Sequence, residues 1–366
     1  MIDVPPADNT SMDGYALRAA DVTERGTVLP VSQRIPAGVV GEPLAPGTAA
    51  RIFTGAQVPA GADAIVMQEH CEALDNAVRI DTVPVPGQWI RRRGEDVRAG
   101  AVVLPAGSRV TPQAQGLAAS VGAAELHVMR APRVALFSTG NELVMPGETP
   151  PERMPPGAIY NSNRFTLRGL LRSLGCDVTD LGIVPDRLDA TRSALSKAAA
   201  GHDLIVTSGG VSVGDEDHLR PAVQAEGQLD LWQVAIKPGK PLAFGSVRGV
   251  GGRATLFMGL PGNPVSSLVT FVLAVRPVLL RLQGASAVMP RALTLRADFD
   301  WSKPDRRREF LRARINDAGG LDLFANQSSG VLTSAVWADG LIDNPPSQPI
   351  ARGDAVRFLP WAELMS

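Results

Sequence analysis

L-I-V-T-S-G-G-V-S-V-G-D-E-D-H, Leu204 to His218, is the stretch that decides the fold. Leu204, Ile205, Val206 and Thr207 run into Gly209-Gly210. Ser212, Gly214 and the acids Asp215, Glu216 and Asp217 follow, ahead of a helix-like segment, Leu219–Glu226. A short apolar run closed by glycine predicts a buried strand, Leu204–Ser208, of a parallel sheet. Glycines after such a strand let the backbone approach a phosphate, and successive N–H groups form an anion nest. The acids cannot bind phosphate themselves; they suit a divalent ion bridging to it, because hard cations take oxygen ligands. The plainer reading is a tight turn with Asp215 or Asp217 as helix cap.

On both sides the same alternation continues. Val134–Ser138 and Asp177–Val184 read as strands, and Asn161–Leu174, ended by Gly175, and Leu188–Ala200 read as helices. Downstream come strand pieces at Leu231–Ile236, Leu242–Gly245 and Thr255–Gly259, then a long helix, Asn263–Leu282. Strands alternating with helices of this length predict a central three-layer α/β domain with a mostly parallel sheet, residues 131–286. Such sheets bind ligands at the carboxyl ends of their strands.

Further turns fall at strand ends of this domain. I-K-P-G-K-P, Ile236 to Pro241, sets Lys237 and Lys240 around a stiff turn, two point charges suited to phosphate or to a solvated hairpin. G-L-P-G-N-P-V-S-S, Gly259 to Ser267, leads into a helix N-terminus that favours an anion, with Asn263 or Ser266 as cap. S-T-G-N-E-L, Ser138 to Leu143, offers Glu142, and I-V-P-D, Ile183 to Asp186, offers Asp186; each alone reads as a helix cap or solvated acid before a ligand. The convergence of these turns on adjacent strand ends is the signal.

The flanks read differently. Short β runs between Pro and Gly clusters (Thr48–Phe53, Ala64–Gln68, Ala77–Ile80) predict a small β domain over 9–88. Ala292–Phe299, Glu309–Ile315, Leu321–Phe324 and Ala355–Leu359 predict a C-terminal β barrel over 287–366. Residues 1–8 and 89–130 are mixed, with one helix, Thr111–Val121, capped by Thr111 ahead of Pro112. D-N-T-S-M-D-G-Y-A, Asp8 to Ala16, is an Asx-rich turn, and R-R-R-G-E-D, Arg91 to Asp96, a self-neutralising loop. The chain opens on this polar turn almost at once, so sequence ahead of it is expected to be missing.

Composition narrows the class. With 366 residues, 45% hydrophobic and 20% charged, the chain is globular and multi-domain. A formal net charge of −1 argues against a nucleic-acid binder, so any anion site is local. Two isolated cysteines, Cys71 and Cys176, without metal-ligand spacing, argue against structural zinc and fit a reducing cytoplasm. The longest apolar stretches read as strand-sized, which predicts no membrane span. No Walker loop, dinucleotide fingerprint or nucleophile elbow occurs. Electrostatic positioning around a metal remains.

Eight stretches in this order, D-N-T-S-M-D-G-Y-A, I-F-T-G-A-Q-V-P-A-G-A-D-A-I-V-M-Q-E, R-R-R-G-E-D-V, S-T-G-N-E-L, I-Y-N-S-N, T-S-G-G-V-S-V-G-D, A-I-K-P-G-K-P and L-P-G-N-P-V-S-S, resemble the molybdopterin molybdenumtransferase (MoeA) family, which includes the gephyrin E domain. The resemblance covers essentially the whole chain. It implies a transferase of molybdenum cofactor biosynthesis that takes molybdate and adenylylated molybdopterin and, with Mg2+, inserts molybdenum and releases AMP. It further implies a homodimer, hand-over partners in cofactor synthesis, and a cleft between the α/β domain of one subunit and the small β domain of the other. Residues 1–8 and 89–130 would then be the remnant of an elongated dimerisation domain whose leading helices this sequence lacks, which bears on dimer strength. Position by position, the family's cleft acids match Asp13, Asp96, Glu142, Asp186 and Asp217. Metal contacts are expected from Glu142, Asp186, Asp215 and Asp217, and substrate contacts from Thr139, Ser208, Gly209, Gly210 and Ser212. Lys237, Lys240, Pro261, Gly262, Asn263 and Pro264 match the remaining strand-end positions, and Arg312 and Ser329 the C-terminal ones, near molybdate. The related molybdopterin adenylyltransferases, and a scaffold protein that kept the fold, are the alternatives.

Overall fold

The computed structural model describes residues 2–211 and 218–365, so Ser212, Asp215 and Asp217 lie outside the described residues. The chain divides into two compact units, residues 1–127 and 128–366.

In the first unit a six-stranded sheet runs in the order Ala64–Met67, Gly14–Leu17, Ala49–Ile52, Thr27–Ile35, Ala77–Ile80, Cys71–Leu74. Ala16, Ile52 and Ile65 pack on one face, and Leu17, Ala64 and Val66 on the other. Asn9–Thr10 pairs with Ile90–Arg91. The helix Pro112–Ser120 is capped as expected, with Ala114 N donating to Thr111 Oγ1 at 3.2 Å.

In the second unit the parallel order is Asp177–Val184, Arg133–Thr139, Leu204–Ser208, Ala254–Leu260. Pro241–Arg248 and Gly227–Gln233 then add antiparallel strands at one edge. Alternation along Arg133–Thr139 explains the three layers. Val134 and Leu136 pack under the helices Ser162–Ser173 and Pro264–Leu282, while Ala135 and Phe137 pack under Leu188–Ala199 and Leu219–Glu226. Both faces are covered, so the central strands are continuously apolar.

The helix Pro264–Leu282 corrects one expectation. With 19 residues it is long and apolar enough to cross a membrane by composition, whereas the sequence read as having only strand-sized apolar stretches. Val265, Val269, Val272, Val275 and Leu279 all join the core beneath the sheet, so the helix is a core element.

The C-terminal sheet orders Ile236–Lys237, Arg308–Ile315, Gly340–Asn344, Ala355–Pro360 and Leu293–Arg296, with Leu321–Leu323 on the Arg308 strand. Leu321 also bridges to Ala297, just beyond the Leu293 strand, which closes the sheet in the manner of a barrel. Ile236–Lys237, read from sequence as the end of an α/β strand, instead pairs with Arg308–Glu309 and stitches the central domain to this sheet.

Candidate active site

All four parallel strands deliver their carboxyl-terminal turns to one cavity of about 600 Å3. Thr139, Gly140 and Glu142 follow the Arg133 strand, and Asp186 follows the Asp177 strand. Ser208, Gly209 and Gly210 come from the Leu204 strand, and Pro261, Gly262, Asn263 and Pro264 from the Ala254 strand. The volume suits a sizeable small molecule.

The glycines are required by geometry. Gly209 has φ +89°, and a Cβ there would meet the Thr139 carbonyl oxygen at 2.4 Å; one at Gly210, φ +67°, would meet Thr139 Oγ1 at 2.7 Å. No other residue lets this backbone lie so close to its neighbour strand. Two helices begin at the cavity. Asn161 caps Ser162–Ser173, its Oδ1 accepting from Arg164 N at 3.2 Å, and Ser162 and Asn163 line the wall. Pro264 opens the second helix with no side-chain cap from Asn263, and Ser266 joins the lining. Among the described residues no lysine or arginine lines the cavity, and its positive ends are backbone amides and helix N-termini. Buried polar atoms at this rim lack a partner among the described residues: Ser138 Oγ, Thr139 Oγ1, Asn161 Nδ2 and Asn163 Oδ1. Unpaired buried polar groups are costly and mark a place where a ligand or water completes the bonding.

Glu142 and Asp186 both line the cavity, on neighbouring strand ends. Glu142 folds back over Gly140, where a Cβ would meet its Oε2 at 2.6 Å. Two carboxylates at one rim are oxygen donors of the kind a hard divalent cation takes. Among the described residues no cluster of three or more His, Cys, Asp or Glu side chains gathers for a metal.

The other expected residues fall elsewhere. The turn bearing the two lysines does sit at this rim, with Pro241 in the lining. Lys237, however, spends its charge on Glu309 at 3.2 Å and Asp305 at 3.4 Å. Lys240 is exposed beside a second hollow with Asp305, Arg306 and Arg307. Ser329 reaches the site through its backbone: its carbonyl accepts from Val265 N at 2.9 Å, and the next residue, Gly330, lines the cavity. Arg312 is fully buried behind this loop, donating to Ser328 O, Phe310 O and Ser334 Oγ at 3.1–3.3 Å. Burial pushes its guanidinium down to about 10, so it stays charged at neutral pH.

Asp13 and Asp96 belong to the first unit. The Thr54 backbone N–H and hydroxyl both donate to Asp13 Oδ1 at 2.7 Å and hold its carboxyl below the usual carboxylate range. Asp96 lines a shallow hollow with Glu95 and Arg98. The arginine loop, read as neutralising itself, instead pairs with acids outside it: Arg92 with Asp8 at 2.6 Å and Arg93 with Asp3 at 2.5 Å. Sequence reasoning did not assign Tyr160, Asn161, Asn163, Pro241 or Gly330 to the site, although I-Y-N-S-N already marked a helix start.

Glycine turns, two helix N-termini and paired acids meet at the carboxyl rim of a three-layer α/β domain, the place where such domains bind small-molecule ligands. Family models match the whole architecture in order: the MoeA N-terminal region (domain I and II) over residues 1–122, a probable molybdopterin binding domain over 135–281, and the MoeA C-terminal region (domain IV) over 294–361. The molybdopterin molybdenumtransferase of Haemophilus influenzae is 40% identical over 88% of this chain and 78% of its own length. Molybdopterin molybdenumtransferase 2 of Mycobacterium tuberculosis is 38% identical over 94% and 86%. A molybdopterin biosynthesis moeA protein from Pyrococcus horikoshii superposes with TM-score 0.83 at 27% identity, covering 98% of this chain and 89% of that one. The chain belongs to the molybdopterin molybdenumtransferase (MoeA) family and is a transferase of molybdenum cofactor biosynthesis.

Proposed function

We propose that this chain inserts molybdenum from molybdate into adenylylated molybdopterin in a magnesium-dependent step that releases AMP. The observation that carries the reading is the cavity, where four strand-end turns bring backbone amides, two helix N-termini and the acids Glu142 and Asp186 around one hollow. The Gly209-Gly210 turn and the Ser162 and Pro264 helix starts hold the anionic part of the substrate. Glu142 and Asp186, with Asp215 and Asp217, would hold Mg2+, which would supply positive charge against the substrate's phosphates. Asp13 and Asp96 complete the acidic set, contributed from a partner subunit of a homodimer. Arg312 charges the loop of Ser329 and Gly330 from behind, beside which molybdate, a tetrahedral dianion, finds donors. The four-segment division (1–8 with 89–130, 9–88, 131–286 and 287–366) is part of this proposal, as are a cytoplasmic location and hand-over to partners in the pathway. Two free thiols, Cys71 and Cys176, fit a reducing compartment.

The test is molybdenum insertion and AMP release from adenylylated molybdopterin and molybdate, with and without Mg2+, alongside adenylylation of molybdopterin by ATP. Mg2+-dependent insertion is expected. Adenylylation without insertion makes the chain an adenylyltransferase, and neither activity makes it a binding protein.

A further inference from the structure

The I-Y-N-S-N segment holds a residue to which neither the motifs nor the carboxylates give a task. Asn163 is the second residue of the helix Ser162–Ser173, a place with no helical reason for asparagine, and is 7% exposed. Its Nδ2 donates to Ser208 Oγ at 2.8 Å and to the Gly262 carbonyl at 2.7 Å. Ser208 ends the Leu204 strand and Gly262 follows the Ala254 strand, so one amide ties two of the strand ends that wall the cavity.

The orientation of that amide is forced. A carbonyl only accepts, so the NH2 group faces Gly262, and its second proton then points to Ser208. The Ser208 hydroxyl therefore accepts from Asn163, and its own proton has no acceptor among the described residues. Ser208 is 3% exposed and lines the cavity. Accepting from Asn163 turns the hydroxyl proton away from the amide and leaves it free to donate into the hollow.

We infer that Asn163 is a positioning residue that fixes Ser208 as a hydrogen-bond donor to an anionic oxygen of the ligand, while clamping the Gly262 turn across the adjacent strand. The inference rests on the functional reading above, in that the cavity holds a phosphate-bearing substrate. On this inference Asn163 acts on the ligand through Ser208.

The test is a double-mutant cycle on the full chain, with KM and kcat for adenylylated molybdopterin and calorimetric affinity for AMP as readouts. Ser208→Ala, which removes one hydroxyl, should raise KM or weaken AMP about tenfold with kcat nearly unchanged. Asn163→Ala should do the same, and the double variant should be no worse than either single one within about twofold. In Asn163→Asp the new carboxylate accepts the Ser208 proton, so binding should fail at neutral pH and recover as the pH falls and the acid protonates. An unchanged Ser208→Ala, or single effects that multiply to about a hundredfold, overturns the inference alone. A wild-type chain that neither turns over the substrate nor binds AMP overturns the functional reading and this inference with it.

Discussion

The two ends of the same parallel strands have opposite characters. At the amino end, Asp203 is nearly buried and fully satisfied: Arg130 donates twice at 2.6 and 2.7 Å, Arg133 N at 2.9 Å and Arg253 at 2.5 Å. Its charge is answered within the protein, and these bonds hold its carboxyl well below the usual range. At the carboxyl end, four buried polar atoms have no partner among the described residues and the backbone turns are open to a hollow. One end is closed by its own side chains and stabilises the fold. The other leaves its bonding capacity for a guest.

The comparison breaks first at Asp203. Asp203→Ala should cost about 3 kcal/mol of stability in urea titration, discounted for the exposed arginines, with specific activity unchanged. The depressed carboxyl also sets a sign with pH. Its stabilisation is complete above the unfolded value of 3.8 and is lost as the pH falls through the folded value, so acid unfolding below about pH 4 should be shallower in Asp203→Asn. If Asp203 variants instead lose turnover while staying stable, the division of labour between the two ends is wrong.

At the open end the effects should be reversed. Glu142→Gln should lower turnover about a hundredfold with melting temperature unmoved, as a group acting on ligand or metal rather than on packing. Gly209→Ala should cost about 2 kcal/mol and ligand affinity together, since it meets both positive φ and the Thr139 carbonyl. Gly262→Ala is the mildest. Among the described residues its Cβ would meet only Gly209 Cα at 3.9 Å, so stability should shift by less than about 0.5 kcal/mol, and any change in KM reports contact with the ligand. Thermal melts beside steady-state kinetics separate these outcomes.

Most of the central domain was legible because buried parallel strands are written as unbroken apolar runs closed by glycine, as in Leu204–Ser208. Elements that break this habit were not. Gly340–Asn344 is buried along its whole length yet carries Asp343 and Asn344, which look like turn residues until Arg308 and Arg357 pair with Asp343 and Asn344 bonds the Gln348 carbonyl. Thr27–Ile35 hides behind Pro30, a poor strand residue, although it joins two strands across its sheet. The site divides in the same way. Thr139, Glu142, Asp186, Ser208 to Gly210 and Pro261 to Pro264 converge as the motifs implied, while Lys237 is neutralised by Glu309 and Asp305, partners about seventy residues away.

By itself the sequence determined the layers of the central domain, its alternation of strands and helices, and the family, because periodicity and glycine-closed turns are local and each constrains its own backbone. Only the tertiary structure decided which charges remain available, which helix is core and which asparagine ties two strands together. Those depend on what lies across a gap in space, and the covalent chain carries no local record of that.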